Sequence, residues 1–239
     1  MTEITAPATR EASSTDGPPR LDLYAPIHRA LRLFMTDTLA RVGALDADDA
    51  SDVATTLDQL DALLALCRQH LLLENQLVHP AIEALQPGVT RDVHADHEHH
   101  LESIGALQDE AAALRSAPDA ASALRLYRHL ALFVAENFKH MHLEETAHNQ
   151  ALWAGYDDAA IAELERRIIA KSTPQQSALV LRWMTPALPP HERASRFRAL
   201  QSVVPPEAFV NLLDVARRAL DERGWAKLSA SLRGVAVPA

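Results

Sequence analysis

Apolar residues recur every three or four positions through most of residues 21 to about 155, which is the spacing of one face of a helix. This pattern predicts four long helices, at about residues 24–45, 51–85, 90–115 and 119–153. The second is expected to end before Pro87 and Gly88, a pair that stops helices, and Pro80 inside it is expected to kink or break it. We therefore expect an all-α fold in which these helices form an up-down-up-down four-helix bundle over residues 21–155.

The apolar faces of the second, third and fourth helices carry polar residues about halfway along. Since these residues keep the spacing of the leucines around them, their side chains are expected to point into the same core. Buried polar groups need partners, so this interruption indicates a site. The interrupting residues are His70 and Glu74 on the second helix, His97 and His100 on the third, and His140 and Glu144 on the fourth.

The same residue types also repeat along the chain. The first half offers His28, His70 and Glu74, and 69 or 70 positions later the second half offers His97, His140 and Glu144. The first pair of helices therefore matches the second pair, and in a bundle of alternating direction the matched helices run parallel. We expect the two halves to be related by a pseudo-twofold axis through a central polar site.

Four imidazoles and two carboxylates at one level of a bundle would form a site of nitrogen and oxygen ligands. Such ligands suit iron, manganese or zinc. Cys67 is the only cysteine, so the sequence lacks the thiolate cluster that structural zinc sites use. Glu74 and Glu144, one from each half, could bridge two metal ions, whose charge would offset the burial of the carboxylates.

Each of these residues has a simpler interpretation when it is taken by itself. A lone histidine on an apolar face is usually a hydrogen-bonded core residue, and a single His-x3-Glu pair is usually a solvated pair on a helix surface. Two such pairs at matched spacing, together with His28 and His97, favour metal binding over both interpretations.

Three neighbouring residues could also reach the site. Glu145 is five positions after His140, about 140° round a regular helix, so it reaches the site only where the helix is irregular. His100 shares the apolar face with His97 and is a candidate fifth imidazole. His148, near the end of the fourth helix, could extend the site.

Composition argues against several other classes of protein. The formal net charge of −9 disfavours a nucleic-acid-binding groove. The sequence has no apolar run of about 18 residues or more, which is the length needed to span a membrane. A single cysteine excludes an intrachain disulfide framework and fits a reducing, cytoplasmic location. Residues 1–20 are rich in Thr, Ser, Ala and Pro and are expected to form a disordered tail.

The character of the sequence changes near residue 156. Residues 156–239 are expected to form a helical C-terminal extension of three or four shorter helices, two of which begin at Pro189-Pro190 and Pro205-Pro206. The extension contains no chemical motif. It is expected either to pack on the bundle or to contribute to a homodimer.

Four segments of residues 21–155 resemble the hemerythrin-like, or HHE cation-binding, domain family. The segments are APIHRAL, HLLLENQLVHPAIEAL, DHEHHLESIGAL and HMHLEETAHNQALW. The later segment PPEAFVNLLDVARRALDERGWAKLSASL is also similar to extensions on bacterial members. The resemblance implies a four-helix bundle that holds a non-haem di-iron centre. The ligands it implies are His28, His70, Glu74, His97, His140 and Glu144, with Glu145 as a substitute for Glu144.

The chain departs from the oxygen-carrying members of that family. Those members have His-x3-His on the third helix, whereas Leu101 follows His97 by four positions here, so the pair would have to be His97 and His100. Glu145 stands where the carriers have aspartate, and Asn75 stands where many members have a second glutamate. These differences disfavour reversible oxygen carriage, and a missing imidazole would open a coordination position to water, peroxide or nitric oxide.

The sequence therefore predicts a metal-binding protein that binds or senses oxygen, nitric oxide or iron, and not a dedicated enzyme. One alternative is a ferritin-like di-iron oxidase or peroxidase, which places Glu-x-x-His pairs on two helices. Glu145 and His148 form one such pair, but Gln76 and His79 break the other. A second alternative is a bundle without metal that serves as an interaction module through residues 157–239.

Overall fold

The computed structural model describes residues 20–233, which are helical through most of their length and contain no strand. The four predicted long helices lie within a few residues of their expected positions, but two of them are interrupted. Their α-helical parts are α1 (Ala25–Gly43), α2 (Ala50–Leu73), α3 (His79–Glu83), α4 (Arg91–Ser116), α5 (Ala120–Leu143) and α6 (Asn149–Gly155).

Local chemistry explains where these helices begin. The Asp49 side chain accepts hydrogen bonds from the backbone N–H groups of Ser51 and Asp52 at the start of α2. Asp119 caps α5 in the same way through the N–H group of Ser122. At the start of α1 a proline occupies the first turn, where no backbone donor is needed.

Both interruptions are π-helical turns, and both begin at a glutamate of the predicted site. Glu74–Val78 separates α2 from α3, and Glu144–His148 separates α5 from α6. The sequence predicted continuous helices here, with a kink only near Pro80. A π-helical turn contains an additional residue, so it rotates the side chains that follow it relative to a regular helix, and such turns are frequent at functional sites.

The four long helices contact one another in a closed ring. Helix α1 contacts α2 and α5, α2 contacts α4, and α4 contacts α5. Their apolar faces form one continuous core, which includes Leu31, Leu60, Ile104 and Phe133. A ring of this kind has a single interior, so polar residues on the four inner faces meet there.

The C-terminal extension contains more helices than the sequence predicted. The described residues after α6 form α7 (Asp158–Ile169), α8 (Pro174–Ala187), α9 (Pro190–Val203), α10 (Pro206–Ala219) and α11 (Glu222–Leu232). The sequence predicted three or four helices here, and the structure has five. In α7 only Ile161 and Leu164 are buried, and Asp157 caps its N-terminus. The proline pairs do mark the starts of α9 and α10.

Helix α8 attaches the extension to the ring of long helices. It packs along α1, where the rings of Phe34 and Trp183 stack with their centroids 4.1 Å apart. Of the two expected roles of the extension, packing on the long helices is therefore observed. A homodimer stays a prediction.

The predicted N-terminal tail lies almost wholly outside the described residues. Residues 1–19 and 234–239 lie outside the described part of the chain, and so does almost all of the expected disordered segment 1–20. Its last residue, Arg20, is held by the Asp158 carboxylate at 2.7 Å and by the Tyr156 carbonyl oxygen at 2.6 Å. Among the described helices, none is both long and apolar enough to cross a membrane.

Candidate metal centre

Two glutamates from opposite sides of the ring lie at the centre of the site. Glu74 and Glu144 each begin a π-helical turn, and their residues are 3% and 0% exposed. None of their four carboxylate oxygens has a hydrogen-bond partner in the described chain. Buried carboxylates without partners are strongly unfavourable, so the site requires a proton or a cation.

Histidines surround these carboxylates in two overlapping groups, each with its ligand atoms within 4.8 Å of one another. One group contains His28 and His70, and the other contains His97 and His140; both contain Glu74 and Glu144. In the first group, the His70 Nε2 atom lies 3.2 Å from Glu74 Oε1 and the His28 Nε2 atom lies 3.4 Å from Glu144 Oε2.

The second group has similar dimensions. The His97 Nε2 atom lies 3.6 Å from Glu74 Oε2, and the His140 Nε2 atom lies 3.4 Å from Glu144 Oε2. Glu74 thus directs one oxygen to each group. The six residues that the 69- and 70-residue repeat singled out are therefore brought together, four of them through Nε2 atoms and two through carboxylates.

A second layer of oxygen atoms engages the outward-facing nitrogens of these rings. The Nδ1 atom of His28 lies 3.1 Å from Glu145 Oε1, and the Nδ1 atom of His97 lies 2.8 Å from Asn75 Oδ1. When Nδ1 carries the proton and donates it to such an oxygen, Nε2 has a free lone pair, and the ring is held in orientation. Ligand histidines in metalloproteins have this arrangement.

His140 and Glu145 complete this second layer. The Nδ1 atom of His140 lies 3.4 Å from Asp96 Oδ2. Glu145 is itself fixed by Arg32, whose Nη2 atom donates to Oε2 at 3.0 Å. Arg32 follows His28 by one helical turn, so both residues face Glu145. An arginine at this spacing does not by itself indicate a metal site in the sequence.

The electrostatics of the histidines fit ligation by neutral imidazole. Burial lowers the pKa of His70 to about 3, with the nearby His28 ring adding to the effect. His140 differs, because the neighbouring Glu144 and Asp96 carboxylates outweigh its burial and raise its pKa. His140 thus takes up a proton more readily than His70 or His97, whose pKa values are lowered mainly by burial.

The two glutamates also have contrasting pKa values. Burial, and then the negative charge of Glu144, raise the pKa of Glu74 well above its ordinary value. Burial acts in the same direction on Glu144, but the adjacent His140 and His97 rings outweigh it and lower the pKa of this carboxyl. A proton taken up by the pair would therefore favour Glu74 over Glu144, and a divalent cation bound there would compete with it.

Two of the predicted site residues lie beside the two groups and not in them. The His100 ring is 2% exposed and stands edge-on to the His140 ring, with centroids 4.9 Å apart. Glu145 touches the outer edge of His28, as described above, because the π-helical turn makes the helix irregular at this point. No group of converging ligand atoms among the described residues includes His100 or Glu145, so ligation by either residue stays a prediction.

A third group contains residues that the sequence indicated only weakly. One ligand atom each from His79, His148 and Glu144 lies within 4.8 Å of the others. Both histidines are buried and lie at the ends of the two π-helical turns, so regular helical spacing did not reveal them.

A cavity of about 230 Å³ reaches the first group from the side of the C-terminal extension. Most of its wall is apolar and comes from α1, α2, α7 and α8, so the extension helps to enclose the site. Residues that line it include Leu66, His70, Leu73, Glu74, Ile168 and Met184.

The residues present fit a pair of divalent cations. Both shared carboxylates lack hydrogen-bond partners, and the Nε2 atoms of His97 and His140 face each other at 3.0 Å, where at most one proton can lie between them. Imidazole and carboxylate are the ligands that iron, zinc and manganese accept. No family model, no curated protein and no solved structure matched this chain in comparisons with known proteins.

Proposed function

We propose that this protein is a hemerythrin-like di-metal protein, with iron as the preferred metal, that binds or senses a small ligand such as oxygen, nitric oxide or peroxide. The observation that carries the proposal is the overlap of two four-ligand groups that share both Glu74 and Glu144. Two carboxylates common to both groups are what a carboxylate-bridged pair of ions needs. His28 and His70 would hold one ion, and His97 and His140 the other.

The proposed bundle is of the up-down-up-down type. In support, each long helix contacts the next one along the chain, the last returns to the first, and the connections between them are short. The resemblance of residues 21–155 to hemerythrin-like domains leads to the same arrangement.

A pair of iron ions would supply redox chemistry and open coordination positions for an exogenous ligand. The protein's own residues orient the imidazoles, and they exclude bulk water from the shared carboxylates, of which Glu144 is fully buried. The apolar cavity beside His70 and Glu74 suits an uncharged small molecule better than an ion.

The alternatives have less support from the described residues. In a ferritin-like oxidase, Glu145 of the Glu-x-x-His pair would face the metals, whereas it is bound to Arg32 at the outer edge of His28. A bundle without metal would leave the oxygens of Glu74 and Glu144 buried and unpartnered.

Elemental analysis of the full-length protein, purified without added metal, tests the proposal. We expect at least two metal ions per chain, mostly iron, and an absorption spectrum in air that changes with azide or nitric oxide. His140→Ala should lower the metal content, whereas His142→Ala, at an exposed position on the same helix, should not. Metal-free protein, or equal metal content in both variants, would refute the proposal, and rapid turnover of peroxide would favour the oxidase or peroxidase.

A further inference from the structure

His79 and His148 form a buried pair that the proposed di-metal centre does not use. They are 4% and 1% exposed, and their ring centroids are 5.4 Å apart at an interplanar angle of 83°. His79 directly follows the first π-helical turn and His148 ends the second. They are 69 residues apart, so they extend the repeat that relates the other site residues.

These rings have nitrogens that no described group satisfies. Both nitrogens of His79 and the Nε2 atom of His148 are buried and lack hydrogen-bond partners. A neutral imidazole always carries one donor and one acceptor, so each ring needs a partner on at least one side. Unsatisfied buried nitrogens are rare in folded proteins, and a run of three in one place indicates a bound species.

The geometry around the pair suits a metal cation. One ligand atom from each ring and one from Glu144 lie within 4.8 Å of one another. Two imidazoles and one carboxylate form the ligand set of non-haem Fe(II) sites and of catalytic zinc sites, which keep positions open.

Tyr24 gives His148 the same outer support that the other ligand histidines have. The Tyr24 hydroxyl lies 3.2 Å from the Nδ1 atom of His148. When Nδ1–H donates to this oxygen, the Nε2 lone pair is free, as with His28 on Glu145 and His97 on Asn75.

We infer that His79, His148 and Glu144 form a third, mononuclear site for a divalent transition-metal ion next to the di-metal centre. Tyr24 is its positioning residue. The inference rests on the proposed function only through Glu144, which the third site shares with both four-ligand groups. The other two ligands belong to neither of those groups, so the sites can be separated by mutation.

Titration of the chelator-treated full-length protein with Co²⁺, followed by absorption and by elemental analysis after gel filtration, tests the inference. We expect three ions per wild-type chain and two in His79→Ala and in His148→Ala. His142→Ala, at an exposed position near Glu144 in the chain, is the matched control and should keep three. Tyr24→Phe should keep the fold and weaken binding of the third ion about 10–100-fold.

The outcomes separate this inference from the proposed function. Two ions in the wild type and in both variants would overturn the third site and leave the di-metal centre standing. Fewer than two ions in the wild type would overturn both. Anomalous diffraction from Co²⁺-loaded wild-type crystals needs no variant: a peak between His79 and His148 supports the inference, and peaks at the two four-ligand groups alone overturn it.

Discussion

Replacement of Glu74 by glutamine should have opposite effects on the protein with and without metal. Glu74 is 3% exposed, and neither of its oxygens has a hydrogen-bond partner. Burial and the charge of Glu144 raise its pKa, so folding without a cation either keeps a charge in the core or takes up a proton. The amide of Glu74→Gln is neutral at every pH, and it therefore removes this unfavourable contribution.

The magnitude follows from the linkage of protonation to folding. A carboxyl whose pKa is raised in the folded state contributes nothing below its unfolded pKa and opposes folding increasingly as the pH rises, by about 1.4 kcal/mol per unit up to the folded pKa. The substitution should raise the free energy of unfolding of the metal-free protein by about 1–3 kcal/mol at neutral pH. This corresponds to a melting temperature about 2–10 °C higher than that of the metal-free wild type. The difference in melting temperature should vanish near pH 4, within about half a pH unit, because there the carboxyl of the unfolded chain also binds a proton.

Bound metal should reverse the sign of the stability difference between the variant and the wild type, because Glu74 belongs to both four-ligand groups. Bound metal at about 100 times its dissociation constant stabilises the folded state by about 2.7 kcal/mol per site. The variant loses a ligand from each of two sites and so loses about 5 kcal/mol of stabilisation by metal, which the gain of about 1–3 kcal/mol without metal partly offsets. The loaded variant should therefore be less stable than the loaded wild type by about 2–4 kcal/mol.

Differential scanning calorimetry of the full-length protein, after chelation and after reloading, measures both effects across a pH series. Glu136→Gln, at an exposed position on α5, is the matched control and should change neither melting temperature. Should Glu74→Gln destabilise the metal-free protein as much as the loaded one, Glu74 would be a structural hydrogen-bonding residue and the reasoning above would be wrong.

Four further substitutions, with His191→Ala as a control, test other parts of the structure. His70→Ala and His140→Ala should each lower the iron content and the metal-dependent melting temperature, because each removes an imidazole from one group, and His191→Ala at an exposed position should do neither. Glu145→Gln should weaken metal affinity about 10–100-fold in a Co²⁺ titration, because it removes the charged acceptor behind His28, and unchanged affinity would contradict that role. Leu60→Ala, at a fully buried core position, should lower the free energy of unfolding in urea by about 3 kcal/mol and leave the metal content unchanged, and a loss of metal would show that core packing also sets the site.

The long helices and the meeting of the site residues could be predicted because both depend on regular spacing. A histidine that keeps the spacing of the leucines on its helix, as His70 does, has to enter the core with them. The 70-residue repeat then placed its counterpart, His140, at the same level. Helical periodicity and this repeat were sufficient for this part of the site.

The two π-helical turns could not be predicted from the same reasoning. Each one changes the angular position of every residue after it, so Glu145 reaches His28 although it is too far round a regular helix. The same change brings His79 and His148 towards Glu144. Pro80, just after the first turn, gives a reason for an irregular helix in the first half only, since no proline lies in the second turn or directly after it.

The pseudo-twofold repeat extends to the second layer of the site, and there it is unequal. The residue after each shared glutamate supports a histidine of the other half: Asn75 accepts from His97, and Glu145 accepts from His28. A carboxylate acceptor makes the imidazole it supports a more basic ligand than an amide acceptor does. Because Glu145 is also paired with Arg32, its charge is retained in the site. His28 should therefore be a more basic ligand than His97, so Asn75, at a position where hemerythrin-like proteins often carry a second glutamate, is expected to make these two matched histidines inequivalent as ligands of the proposed centre.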